Sequence, residues 1–77
     1  MSIHSKVLEE VNKIESGIYG RNYASHHEFY AVLKEEVEEI WEEIKKKKPD
    51  KKQIKKECIQ VIAVCTRYLN QINEINQ

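Results

Sequence analysis

Two short acidic stretches carry the residues of this chain whose types and spacing suit chemistry: "EEVEEIWEE", residues 35–43, and "ECIQ", which begins at Glu57. On a helix, Glu36, Glu39 and Glu43 share one edge, and Glu57 and Gln60, three apart, share another. Carboxylates gathered in this way repel one another unless something positive sits between them. Hard oxygen donors at this spacing suit Mg²⁺ or Mn²⁺, ions that bridge to the phosphates of a substrate. The competing expectation is a solvated acidic face, which is what most charge runs are.

The elements that must position these groups are helical. Ile3, Val7, Leu8, Val11 and Ile14 recur at helical spacing and predict a first helix over about residues 2–15. "SGIYGRNYA" breaks it, with Gly17 placed to end the helix and Gly20 free to turn. Ser25 and Glu28 have the spacing of a capping box, so a second helix is expected over about residues 25–47. Its apolar face is Phe29, Leu33, Val37, Ile40, Trp41 and Ile44, and Lys45 to Lys48 suit its C-terminal dipole. Pro49 forbids continuation. Asp50 then caps a third helix over about residues 51–75, with Gln53 in the box position.

The third helix is the most apolar: Ile54, Cys58, Val61, Ile62, Val64, Cys65, Tyr68, Leu69 and Ile72 cover more than a third of its circumference, and Ile59 widens the arc. The expected fold is therefore all-α, one domain over residues 1–77, with helices two and three in an antiparallel hairpin. The excess apolar arc implies a homo-oligomeric bundle, a homodimer or homotetramer; the alternative is a wide core face covered by the first helix. Projected around the axes, Glu36, Glu39, Glu57 and Gln60 then converge on one side of the hairpin.

Composition narrows the rest. Thirteen basic and thirteen acidic residues cancel, which argues against direct nucleic-acid binding. No apolar run is long enough to span a membrane, and the N-terminus lacks the apolar segment of a signal peptide. Cys58 and Cys65 would stand about 10 Å apart along a helix, too far for a mutual disulfide, and read as buried thiols of a cytoplasmic protein.

"EEVEEIWEEIK", followed after a lysine-rich turn by "KKECIQVIAVCTRYL", resembles the MazG-like all-α nucleoside triphosphate pyrophosphohydrolases. Glu35, Glu36 and Glu39 match the first acidic motif of that family in order and spacing, and Glu57 matches the second. The wider block "YASHHEFYAVLKEEVEEIWEE" is similar to short members carried by phages and prophages, and the likeness covers roughly residues 23–70. What the resemblance implies is Mg²⁺ held on a triphosphate by Glu36, Glu39 and Glu57, and attack by water between the α and β phosphates. Gln60 departs from the pattern, which has aspartate there. Its amide can still coordinate Mg²⁺ but brings no charge, so a site that binds nucleotide without turnover stays open beside the enzyme. A helical protein-interaction module with no nucleotide site is the third reading.

Around this core, Glu35 or Glu43 would orient water unless simply solvated, and Glu43 is also a candidate to replace the missing aspartate. Lys56 and Arg67 lie near the site edge and would neutralise phosphate charge, solvated side chains being the alternative. His26 and His27 point about 100° apart on a helix and cannot share one metal, so they read as surface or subunit-contact residues. Tyr23, Tyr30, Trp41 and Tyr68 offer aromatic surface for a base, although aromatic residues at helical spacing usually pack a core.

Overall fold

In a computed structural model of the chain, residues 2–17 and 21–75 are described, the last two by their backbone alone. They form three helices, α1 (Ile3–Glu15), α2 (His26–Ile44) and α3 (Lys51–Ile75). The turn expected at Gly20 lies outside the described residues. Ser2 opens α1 by accepting from the Ser5 N–H. The helix closes at Ser16, whose own N–H returns to the Asn12 carbonyl, and the Gly17 N–H follows to Ile14. Helix α2 ends at Ile44 with Lys45 as its cap, three residues earlier than expected. The run from Lys45 to Lys48 therefore belongs to the turn, where Pro49 stops the chain from continuing as helix.

The two N-caps form, but the reciprocal halves of the expected capping boxes do not. Ser25 accepts from the Glu28 N–H at 3.1 Å, as its spacing demands. Glu28 reaches back one residue further, to the Ala24 N–H, and is gripped by both terminal nitrogens of Arg21 at 2.8 and 3.1 Å. Asp50 caps α3 by accepting from Lys52. The Asp50 N–H is satisfied by Glu43 of the preceding helix at 3.0 Å, and Gln53 instead donates to Glu57. Glu43 thus ties the end of α2 to the start of α3.

α3, 25 residues and about 38 Å long, is the spine on which the other helices pack. α2 runs antiparallel to it: Glu43 meets Asp50 at one end of the hairpin and Phe29 stacks on Tyr68 at the other. α1 runs the same way as α3, because Lys6, Glu10 and Glu15 meet Lys55, Gln60 and Arg67 in that order. α1 and α2 both pack on α3 and not on each other. The core is consequently two small clusters. Val7 and Val11 close on Ala63, whose small side chain lets α1 approach, with Ile14 and Ile59 beside them. On the other side of α3, Tyr23, Val64 and Tyr68 are enclosed by Phe29, Val32, Leu33 and Ile72.

The segment between α1 and α2 is pinned by side chains of α3. Gln71 accepts from the Tyr23 N–H at 2.8 Å and donates to the Tyr23 carbonyl at 2.9 Å, satisfying both backbone groups in a buried place. Phe29 and Tyr68 stack with centroids 4.1 Å apart, and Tyr23 meets both edge-on. Gln71→Leu keeps the volume and strands both Tyr23 groups without water. Such buried orphans cost about 1–3 kcal/mol each, so a loss of about 2–3 kcal/mol is expected in chemical denaturation. An unchanged midpoint would show that the amide does not hold the segment.

Candidate functional site

One carboxylate oxygen from each of Glu36, Glu39 and Glu57 lies within 4.8 Å of the other two. Two helices supply them because the hairpin register sets residue 39 opposite residue 57. Glu36 and Glu57 are half-buried and Glu39 is exposed at the rim. Glu57 is held by the Gln53 amide at 2.6 Å through one oxygen, and its other oxygen is buried with no hydrogen-bond partner among the described residues. A hydrogen bond shared with Glu57 pushes the Glu39 carboxyl up to about 7, helped by desolvation and by the charge of Glu36. Burial likewise raises Glu36, and the charges of Glu57, Glu35 and Glu10 add to that rise. The three carboxyls crowd one another within 4.8 Å, and the charge that Glu39 takes on above neutral pH adds to their repulsion.

The fourth expected donor sits nearby in a different bond. Gln60 donates its amide N–H to the Glu10 carboxylate at 2.5 Å, leaving its carbonyl oxygen as the acceptor end. Glu10 was not legible as a site residue, since its place depends on α1 pairing with α3 in parallel. It brings a negative charge to the position where Gln60 carries none, close enough to act on Glu36.

The remaining candidates separate. Glu35 is exposed, close enough to raise Glu36 but outside the triad. Glu43 is buried and committed: the Asp50 N–H and Lys46 hold its carboxyl below the usual range, so it neither replaces the aspartate nor orients water. Lys56 lies on another surface, a groove of about 500 Å³ between α1 and α3 shared with Lys6, Lys13, Lys52 and Lys55. The adjacent Lys6 cation depresses the Lys55 ammonium there. His26 bonds to the Tyr68 hydroxyl and caps the aromatic cluster, while His27 is exposed. Tyr23 and Tyr68 are core, as aromatic spacing suggested, but Tyr30 and Trp41 are not.

Arg67 is buried, not solvated. Its terminal nitrogens donate to the Tyr23 hydroxyl at 3.0 Å and the Arg21 carbonyl at 2.9 Å, and the guanidinium lies 5.0 Å from the Tyr23 ring centre. Its Nε has no hydrogen-bond partner among the described residues and stands 4.0 Å from Glu15. Arg67 and Gln60 both line a cleft of about 560 Å³ with Glu36, Val32, Val64 and Arg21. Along α3, Gln60 and Arg67 are about 10 Å apart, so the cleft runs from Glu36 past an apolar wall to Arg67 and the Arg21–Glu28 ion pair. Gln71 and Gln60 share one edge of α3 with Arg67, a signal that was available in the sequence.

This arrangement can hold a hard cation at its acidic edge and an elongated anion with an apolar part along its length. No family model, curated protein or solved structure matches this chain.

Proposed function

We propose that this protein binds a nucleotide polyphosphate through Mg²⁺ or Mn²⁺ in the cleft and hydrolyses it to a nucleoside monophosphate and pyrophosphate. In this reading it is a reduced, cytoplasmic, phage-type relative of the MazG-like enzymes that works as a homo-oligomer. The observation that carries the reading is the triad: Glu36, Glu39 and Glu57 converge within 4.8 Å from two helices. The donor set fits a hard divalent cation, because it is all oxygen and one oxygen of Glu57 is buried with no hydrogen-bond partner among the described residues. Glu36, Glu39 and Glu57 would hold the ion, with the Gln60 carbonyl as a neutral fourth donor. When bound, the ion supplies Lewis-acid polarisation of phosphoryl oxygens and neutralises their charge.

The chain's own groups do the rest. Glu10 steers the Gln60 amide by taking its N–H, and so turns the carbonyl oxygen away from α1. Glu35, exposed beside the triad, is the free carboxylate available to orient water. Val32 and Val64 offer apolar surface to a base or sugar, and Arg67, whose Nε has no hydrogen-bond partner among the described residues, offers a cation to the far end of the ligand. Lys56 has no part, since it faces the other groove.

A second reading, nucleotide sequestration without turnover, is favoured by Gln60. The amide adds no charge, and its bond to Glu10 fixes it in place. A thermal-shift screen of nucleoside polyphosphates with and without Mg²⁺, followed by product analysis, separates the readings. A melting temperature raised only by nucleotide and metal together, with pyrophosphate released, supports the enzyme. The same stabilisation with ligand recovered intact supports sequestration, and no shift with any nucleotide overturns both in favour of an interaction module.

A further inference from the structure

The stretch "KKKKPDKKQIKK", residues 45–56, holds eight of the chain's thirteen basic residues, so the zero net charge conceals a strong separation. Seven of the thirteen acids lie instead on α2. The fold carries the separation further by bringing α1 to the lysines. Lys6 and Lys13 of α1 and Lys52, Lys55 and Lys56 of α3 line the groove of about 500 Å³ between these two parallel helices. Glu9 and Glu10 share it, but Glu10 is already engaged by the Gln60 amide and by Lys13. Lys6, Lys52, Lys55 and Lys56 form no ion pair among the described residues. Lys6 and Lys55 stand within hydrogen-bonding reach of each other, although an ammonium group can donate and cannot accept.

That contact is imposed from outside the groove. Val7 and Val11 seat α1 on Ala63, and the resulting register drives Lys6 against Lys55. Lys51 and Lys52 add to the crowding, because they occupy the first turn of α3, where no acidic residue stands and the helix dipole opposes a cation. An anion between the two helices offsets all of these repulsions together. Its chemistry follows from the lining. Every cation is a lysine, a point charge that suits phosphate oxygens without fixing their angle. Cations stand on both walls, spaced about 10 Å from Lys6 to Lys13 and about 6 Å from Lys52 to Lys56, which matches several linked phosphates better than one. Among the described residues Ile59 is the whole apolar lining, and no aromatic side chain is there to stack a base. We infer that the groove between α1 and α3 is a second anion site, separate from the cleft, that binds a short inorganic oligophosphate through Lys6, Lys13, Lys52, Lys55 and Lys56. The site needs no metal, and the inference holds whatever the cleft binds.

Isothermal titration calorimetry with sodium tripolyphosphate is the direct test, on chelator-treated protein at low salt so that a metal-dependent cleft stays silent. One tripolyphosphate per chain is expected. Lys6→Gln and Lys55→Gln combined should raise its dissociation constant on the order of tenfold. Lys34→Gln, which removes the same charge from an exposed position of α2, should leave it unchanged. A reading that needs no variant is the wild-type melting temperature, which tripolyphosphate should raise above its value in sodium sulfate of equal ionic strength. Metal-free ATP and a short single-stranded DNA should each bind no more tightly than tripolyphosphate. Absence of both the binding heat and the thermal shift overturns the site. A Lys34→Gln chain that loses as much affinity as the groove variant also overturns it, by showing that the attraction is diffuse. Tighter binding of ATP would make the groove a nucleotide site, and tighter binding of DNA a nucleic-acid surface; either overturns the oligophosphate assignment.

Discussion

Glu39→Gln is expected to have two opposite effects, a higher melting temperature in metal-free protein and loss of Mg²⁺-dependent pyrophosphate release. The first follows from the triad's internal strain. Glu39 lies within 4.8 Å of Glu57 and Glu36 and holds its proton up to about 7, so at pH 8 it adds its charge to a crowded acidic edge. The amide removes that charge and can donate permanently where the carboxyl donates only when protonated. The second follows because the same charge is what a divalent ion requires. Groups one step removed from a bound metal already cost roughly 10–100-fold when altered, so loss of a ligand carboxylate should cost on the order of a hundredfold or more in kcat/KM. Differential scanning fluorimetry with and without Mg²⁺ reads both effects together. A variant that melts lower than wild type without metal, yet keeps the Mg²⁺ shift and the turnover, would show that Glu39 is neither strained nor a ligand.

That opposition marks the acidic edge as a place where stability is given up locally, and it bears on how much of it the sequence could reveal. The helices were legible because apolar spacing marks α1 and chemical signals bound the hairpin: Ser25 at a start, Pro49 at a stop, Asp50 at the next start. The triad was legible for a related reason. Its members lie on two helices joined by a short turn, so the register is fixed locally and residue 39 must come near residue 57. Glu43 failed as a candidate because it has two neighbours a wheel cannot show, the Asp50 N–H and Lys46 in the turn that follows. Lys56 failed because it faces α1, whose place on α3 is a long-range choice made by Val7, Val11 and Ala63. Glu10 was missed on the same account. Arg67 was placed at the right edge of α3, but its burial depends on Tyr23 folding over it, an event outside any helix. What the sequence hides in this chain is the packing of α1 and of the segment after it.

The pH dependence of stability is expected to show this strain directly. Glu39 titrates near 7 in the fold and near its ordinary 4.5 in the unfolded chain. Between those values the unfolded state has released a proton that the folded state keeps, so stability falls as pH rises, and the loss is complete above about 7. Glu36, also raised by burial, acts in the same direction. Glu28 and Glu43 act in the opposite one. Arg21 lowers the first, the Asp50 N–H and Lys46 lower the second, and the stability they contribute is lost as pH falls below the ordinary carboxylate range. The melting temperature of chelator-treated protein should therefore peak on the acidic side of neutral and decline toward pH 8. Glu39→Gln should flatten the alkaline limb and leave the acidic limb alone, because Glu28 and Glu43 are untouched. Mg²⁺ should restore the alkaline limb of the wild type, since a cation among the carboxylates offsets the charge that Glu39 takes on there. A limb that is unchanged in Glu39→Gln would place the proton elsewhere and remove the strain from this edge.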